Sequence, residues 1–211
     1  MLNSFQRLID QQSEMYQETT PLIYLINFMR KHRPEIYQHS IRVAILAERI
    51  ATEMNLEPCE KENLLRGCFL HDLGKIMLPI EVLEQAAPLT PHQWRMIKLH
   101  PQVGTDLVHN ISDFEEPVFE IILHHHERWD GQGYPHGLKE NDIPLLARIC
   151  SVADAFDAMM SDRPYRPSLS LEQVKQELRR NSAIQFDPFI TGLTLELFDS
   201  DNSYFGSTQE R

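Results

Sequence analysis

The chain has 211 residues and a mass of 24.7 kDa, enough for one domain with a substantial buried core. Hydrophobic residues make up 42% and charged residues 24% of the sequence, a composition that excludes a mostly disordered chain. The formal net charge of −11 argues against binding of nucleic acid polymers or of an anionic membrane, because both need clustered lysines and arginines. A small anionic ligand is compatible with this charge if metal ions supply local positive charge.

The three cysteines, Cys59, Cys68 and Cys150, form no CxxC pair, which is typical of reduced thiols in a cytoplasmic protein. No apolar stretch is long enough to cross a bilayer, and residues 1 to 10 lack the basic start of a secretion signal. We therefore expect a soluble, unprocessed protein of the cytoplasm.

Hydrophobic periodicity predicts α-helices along nearly the whole chain. The clearest helix runs from Glu35 to Met54, where apolar residues recur at spacings of three, four and seven. No segment alternates apolar and polar residues long enough to predict a β-strand, so the predicted fold class is all-α. Thr90 and Ser170 are predicted N-caps. Further helices are expected at about Glu60 to His71, Pro91 to Val108, Glu116 to His125, Pro144 to Met160 and Leu171 to Asn181.

The domain organisation follows from the same pattern. We expect an N-terminal helical extension over residues 1–32, one compact helical bundle over residues 33–198 and a flexible polar tail over residues 199–211. The main irregular stretch, from Trp129 to Asp142, holds three glycines and a proline. A loop of this length inside a compact domain is usually functional.

The pair His71-Asp72 follows an apolar stretch, at the end of a predicted helix. A neutral imidazole and an ionised carboxylate are both good ligands for divalent metals. Taken alone the pair is weak evidence, because a helix-terminal histidine beside a capping aspartate is the more common arrangement.

Other histidines and aspartates of the same kind strengthen the metal hypothesis. They lie in or beside predicted helices with apolar neighbours, where unpaired polar groups would be costly. Glu35 precedes His39 by four residues, so both project from one helical face. Asp154 and Asp157 also share a face, so that one would bind metal and the other would orient a ligand or substrate. The remaining candidates are His100, His125 and His126.

Two cations follow this segment. Arg163 and Arg166 flank Pro164-Tyr165 and would suit a phosphate group. A solvated basic turn is the alternative interpretation.

Together these motifs resemble the HD-GYP family of the HD phosphohydrolase superfamily, from about Glu35 to Phe189. Several separate motifs occur in the family's order, which makes the resemblance specific. They are His71-Asp72, the loop His125-His126-Glu127-Arg128-Trp129-Asp130-Gly131-Gln132-Gly133-Tyr134-Pro135, and the segment from Asp154-Ala155-Phe156-Asp157 to Asp162-Arg163-Pro164-Tyr165-Arg166.

The resemblance implies an all-α bundle of the HD-domain type that holds two or three divalent metal ions, with iron or manganese favoured. Glu35 occupies the position found in members with three metals. Lys75 and Asp157 match positions associated with the scissile phosphate and the attacking water, and Arg163 and Arg166 match phosphate contacts. The implied metal ligands are Glu35, His39, His71, Asp72, His100, His125, His126 and Asp154.

Not every histidine of the chain is an implied metal ligand, and the role of Tyr134 is open. The chain has three consecutive histidines where the family has two, and the residues that follow select His125 and His126 over His124. His32, His92, His109 and His136 match no ligand position. Tyr134 either contacts the substrate or packs the loop, and we weigh the two equally.

The activity that the resemblance implies is hydrolysis of the bacterial second messenger cyclic di-GMP to the linear dinucleotide or to GMP, by a hydroxide that bridges two metal ions. The family's loop is also linked to the binding of GGDEF-domain cyclases, and the N-terminal helices could form a homodimer. Two alternatives are an HD-type hydrolase of another nucleotide and a slow or inactive module that senses cyclic di-GMP or docks onto a cyclase.

Overall fold

The computed structural model describes residues 20–83, 85, 87–162 and 167–200. The described residues form helices and no β-strand, apart from an isolated bridge between Ser182 and Phe186, so the all-α prediction is confirmed. Short 3-10 turns lie at Leu73–Met77 and Glu140–Asp142. The helices are α1 (Pro21–His32), α2 (Pro34–Glu53), α3 (Pro58–Leu70), α4 (Ile80–Leu83), α5 (Pro91–Ile97), α6 (His100–His109), α7 (Glu116–His124), α8 (Leu145–Met160), α9 (Leu171–Asn181) and α10 (Pro188–Ser200).

Helix α2 lies at the centre of the bundle and packs most extensively on α3 and α8. Its buried stripe is the one that the periodicity predicts, and three of its residues are alanines, which let neighbouring helices approach closely. Helix α7 in turn packs on α3, α6 and α8. The apolar residues of α2 without any exposed surface are Val43, Ala44, Ala47, Ile50 and Ala51.

The predicted helix from Pro91 to Val108 is wrong as a single element, because it divides into α5 and α6 at Lys98 and Leu99. Pro101 explains the break. It has no N–H to donate to the carbonyl of Ile97 four residues earlier, and its ring would clash with that carbonyl. The predicted N-caps Thr90 and Ser170 are both confirmed, each within a capping box.

Helices at both ends of the described chain pack onto the same core. Met29 of α1 is fully buried, and α1 packs on α2. Helix α10 was not predicted from the periodicity, although Asp187 before Pro188 is a helix-start signal. In the structure the carboxylate of Asp187 accepts hydrogen bonds from the N–H groups of Phe189 (2.8 Å) and Ile190 (3.3 Å). Residues 1–19 and 201–211, most of the predicted extension and tail, lie outside the described residues.

The cysteines are free as expected, with Cys59 exposed and Cys68 and Cys150 buried. Among the helices of the described chain, none combines the length and the apolar character that a membrane span requires.

Candidate metal centre

Seven of the eight predicted ligands come together in the bundle. Two helices contribute residues from their middles, and the ends of three others converge on the same point. The ligand atoms form two groups, and within each group they lie within 4.8 Å of one another. One group contains Asp72, His100, His125 and His126, and the other contains His39, His71 and Asp154.

Asp72 lies between the two groups. Its Oδ1 is 3.2 Å from Nε2 of His100, and its Oδ2 is 3.5 Å from Nε2 of His71 and 3.8 Å from Nε2 of His39. One carboxylate oxygen therefore faces each group. Asp72 could therefore contribute to holding a metal ion in either group.

Gly74 allows the turn after Asp72 to pack against the start of α6. A Cβ at this position would collide with the carbonyl oxygen of His100 and would lie 2.7 Å from the amide nitrogen of Gly104. The glycine therefore serves the close approach of two backbones, which brings His71-Asp72 next to His100.

Three histidines have their Nδ1 atoms fixed by backbone carbonyls. Because a carbonyl oxygen only accepts, each Nδ1 carries the proton and each Nε2 of a neutral ring presents a lone pair. Helix ends supply two of these carbonyls, since the last turn leaves them without amide partners, and Pro101 leaves the third free. The hydrogen bonds run from His71 to Cys68 (2.7 Å), from His100 to Ile97 (2.7 Å) and from His125 to Ile122 (2.8 Å).

The lone pairs that result have no protons to meet. Nε2 of His100 lies 3.2 Å from Nε2 of His125, so two lone pairs face each other. Nε2 of His71 and Oδ1 of Asp72 are buried and have no hydrogen-bond partner. Unpaired buried polar atoms are costly, and a cation between them removes the cost. The residues present therefore fit divalent metal ions.

The electrostatics keep most of the ligands in their metal-binding forms. Burial lowers the pKa of His126 to about 3 and holds the pKa values of His71 and His125 below the ordinary value, so these rings are neutral. Burial opposes the ionised form of Asp72, but the charge of Lys75 together with the contacts of His71 and His100 outweighs it and lowers the pKa of that carboxyl. Neutral imidazoles and ionised carboxylates are the species that bind metal.

His39 is held by two carboxylates. Its Nδ1 donates to Oδ2 of Asp157 at 2.6 Å, and its Nε2 lies 3.1 Å from Oδ1 of Asp154. Burial opposes the charged ring, yet the hydrogen bonds with Asp154 and Asp157 outweigh it and raise the pKa of His39 to about 9. This position therefore favours positive charge, which a proton or a metal ion can supply.

Asp157 is itself clamped by Arg42, which the sequence analysis did not single out. The guanidinium donates from Nε to Oδ1 at 2.6 Å and from Nη2 to Oδ2 at 3.0 Å. Arg42 lies three residues after His39, on the same face of α2, and this spacing was the available signal. The resemblance places Asp157 near the attacking water, whereas its contacts in the structure orient the ring of His39.

Lys75 and Tyr134 lie at the edge of the centre. Nζ of Lys75 donates to Oδ2 of Asp72 at 2.6 Å, and the lysine side chain remains 23% exposed. The ring of Tyr134 packs on the ring of His126 with centroids 4.8 Å apart, and Nζ of Lys98 lies 5.1 Å from the Tyr134 ring. Lys75 and Tyr134, which are predicted to contact the substrate, thus lie next to candidate metal ligands.

Three predicted site residues are not among those that the structure brings together. Glu35 is exposed in the first turn of α2, and its carboxylate belongs to neither ligand group. Arg163 and Arg166 lie outside the described residues, so their phosphate contacts stay predictions.

The long glycine-bearing loop is wrapped around a buried carboxylate. Glu127 is 2% exposed and accepts hydrogen bonds from the backbone N–H groups of His136 (2.7 Å), Gly137 (3.1 Å) and Leu138 (3.1 Å). Gly133 crosses the start of the loop so closely that a Cβ would lie 2.5 Å from Cα of Glu127. Glu127 therefore organises the loop, a role that could not be predicted from its place in the loop motif.

Comparison with known proteins identifies the family. The family model for the HD domain matches residues 24–190. The chain belongs to the HD domain family. The match begins within α1, so part of the predicted N-terminal extension belongs to the matched domain.

Curated relatives of this HD domain are cyclic dinucleotide phosphodiesterases by name. A "Cyclic di-GMP phosphodiesterase" of Thermotoga maritima is 36% identical over 181 residues, covering 83% of this chain and 48% of the relative. A "3'3'-cGAMP-specific phosphodiesterase 2" of Vibrio cholerae is 31% identical over 188 residues, covering 88% of this chain and 36% of the relative. The chain thus spans about half or less of the length of these relatives.

Solved structures agree with the fold. A HDG"Y"P protein from Bdellovibrio bacteriovorus superposes with a TM-score of 0.66 at 24% identity, covering 78% of this chain and 52% of that one. The HD domain of the Listeria monocytogenes phosphodiesterase PgpH superposes with a TM-score of 0.60 at 19% identity, covering 83% and 97%. At these identities the likeness supports the HD fold alone.

Proposed function

We propose that this HD domain is a metal-dependent phosphodiesterase that hydrolyses cyclic di-GMP to the linear dinucleotide or to GMP. The observation that carries the proposal is the pair of ligand groups that meet at Asp72. Two adjacent divalent ions supply a nucleophile at neutral pH and neutralise the charge of a phosphodiester. The names of the curated relatives support the substrate class.

The protein's own residues have separate tasks in this proposal. Asp72 holds the two groups together, and Asp157 with Arg42 keeps the ring of His39 in place. Lys75 is exposed enough to donate to a non-bridging phosphate oxygen while it stays beside Asp72. The ring of Tyr134 packs on His126, so this tyrosine would lie beside a dinucleotide bound at the metals.

Charge favours an anionic ligand at this position. The two ligand groups contain two carboxylates, those of Asp72 and Asp154, against the four positive charges of two divalent ions. The occupied site is therefore net positive within a chain of net charge −11. The attraction of a cyclic dinucleotide to this protein is in consequence local to the metal centre.

We propose iron or manganese as the metals. Mixed imidazole and carboxylate ligation with seven ligands suits octahedral ions better than a closed tetrahedral zinc site. The two groups favour two ions, and a third ion would need Glu35 to turn inward from its exposed position.

The relatives also raise 3'3'-cGAMP as a second candidate substrate. The Vibrio cholerae phosphodiesterase named for it is 31% identical over 88% of this chain. Both dinucleotides present the same phosphodiester to the metals, so the bases must decide between them. Residues around Tyr134 are the ones placed to do so.

The proposal also includes two protein partners, a GGDEF-domain cyclase and a second copy of this chain. The loop exposes Gln132, Pro135 and His136 at its surface, where a GGDEF-domain cyclase could dock. Dimerisation through the N-terminal helices would use the exposed side of α1, on which Tyr24 is 67% exposed.

The test is anaerobic purification followed by metal analysis and by turnover of cyclic di-GMP and 3'3'-cGAMP in the same samples. We expect two ions per chain and cleavage of cyclic di-GMP, with cleavage abolished in Asp72→Ala. His92→Ala is the matched control, because His92 is an exposed histidine outside every ligand group. A metal-loaded wild type that binds cyclic di-GMP without cleaving it would overturn the proposal in favour of a sensor.

A further inference from the structure

A third group of ligand atoms lies apart from the two that form the HD centre. His124, Glu127 and His136 each present one ligand atom within 4.8 Å of the others. Neither His124 nor His136 matches a ligand position of the family. The group connects His124 at the end of α7 to His136 in the middle of the long loop.

His124 has an unsatisfied nitrogen that faces this group. Its Nδ1 is buried and has no hydrogen-bond partner. It lies 3.8 Å from Oε1 of Glu127, too far for a hydrogen bond. Two atoms that bind one ion at about 2.1 Å each are about 3 to 4 Å apart, so the carboxylate of Glu127 lies close to the separation that two ligands of one metal require.

Glu127 is a pre-oriented carboxylate. Two backbone N–H groups donate to Oε1 and one donates to Oε2, which leaves a lone pair at Oε2. Carboxylates that bind metals are themselves usually held by hydrogen bonds in this way.

His136 connects the group to solvent. Its side chain is exposed, and its ring centroid lies 5.3 Å from that of His124. An ion can therefore reach the group from the loop surface without passing through the HD centre.

We propose that His124, Glu127 and His136 form a separate site for a divalent transition metal ion, of the zinc class, that clamps the long loop to the end of α7. Two imidazoles and one carboxylate are a ligand set that zinc uses when it keeps an open fourth position. Tyr134 lies two residues before His136 and packs on His126, so occupancy of the site restrains the loop beside the HD centre. The inference does not depend on the substrate of that centre.

The test is a titration of the chelator-treated full chain with Zn²⁺, followed by calorimetry, for wild type, His136→Ala and the control His92→Ala. We expect His136→Ala to bind one equivalent of Zn²⁺ fewer than wild type, and His92→Ala to bind as many as wild type. Because only the difference is used, zinc that enters the HD centre does not affect the result. Equal numbers of sites and equal affinities in wild type and His136→Ala would overturn the proposal.

A second readout reports on the loop. Hydrogen exchange at the amides of residues 136–138 is expected to slow on addition of Zn²⁺ in wild type and in His92→Ala but to stay unchanged in His136→Ala. Exchange that slows equally in all three proteins would place the zinc effect elsewhere and would also overturn the proposal.

Discussion

Oδ2 of Asp157 accepts a 2.6 Å hydrogen bond from Nδ1 of His39, across 118 positions of sequence. The bond turns Nε2 of the ring toward Asp154 and the metal centre. A carboxylate that holds a metal-binding imidazole in this way fixes the tautomer and raises the basicity of the ligand. We therefore expect Asp157 to act through metal binding at His39 rather than directly on the attacking water.

Replacement of Asp157 tests this relationship. We expect Asp157→Asn to lower metal affinity by about 10- to 100-fold, the usual effect of losing a residue that orients a ligand. Turnover should recover when the metal concentration is raised. The measurement is a metal titration with turnover recorded at each concentration.

The alternative role for Asp157 predicts a different result. If it acted directly on the attacking water, Asp157→Asn would keep wild-type metal affinity and would stay inactive at saturating metal. Arg42→Gln serves as the companion variant, since Arg42 touches Asp157 without lying in either ligand group.

The number of metals can be tested at Glu35. Because its carboxylate is exposed and outside both groups, we expect Glu35→Gln to keep the metal content and the turnover of wild type. Elemental analysis of both proteins after anaerobic purification gives the answer. Loss of one ion per chain in the variant would establish a trinuclear centre with Glu35 as a ligand.

Gly74 is predicted to be intolerant of a side chain. Gly74→Ala would force the backbone of His100 away, and we expect a loss of about 1 to 3 kcal/mol, the usual cost of an overpacked core. The melting temperature and the metal content should both fall, because the shift separates His71-Asp72 from His100.

Gly192→Ala is the matched control, because a Cβ there meets nothing within 4 Å and the residue lies inside α10. Alanine replaces glycine in a helix with a gain of about 0.5 to 1 kcal/mol. Equal melting temperatures for the two variants would contradict the steric argument.

Metal removal is expected to destabilise the fold. Without metal, Nε2 of His71 and Oδ1 of Asp72 stay buried without a partner, which is costly. The apo protein also lacks the stabilisation that metal binding gives to the folded state. An ion present at a thousandfold excess over its Kd stabilises by about 4 kcal/mol. We expect chelation to lower Tm and readdition of Mn²⁺ or Fe²⁺ to restore it, as followed by calorimetry. A Tm that does not respond to chelation, with complete metal removal verified by elemental analysis, would argue against metal ions in these groups.

Local patterns in the sequence were enough to predict the all-α fold class and to single out most of the candidate metal ligands. A helix such as α2 follows from the three- and four-residue spacing of its apolar side chains, because that spacing reports which face is buried. The division between α5 and α6 was also readable, since Pro101 acts on residues only a few positions away. The motifs around His71-Asp72 and the long loop sufficed to name the family, which the HD domain match confirms.

The grouping of these residues depends on how the elements pack together. The distances that place Asp72 between two sets of ligands, join Asp157 to His39 and bring His136 to His124 all depend on how distant helices and loops pack. Residues such as Arg42 and Glu127 have ordinary local surroundings, and their partners are revealed only by that packing. Periodicity carries information about one element and its buried face, whereas a metal centre is built from contacts between elements, whose separation in space no local pattern encodes.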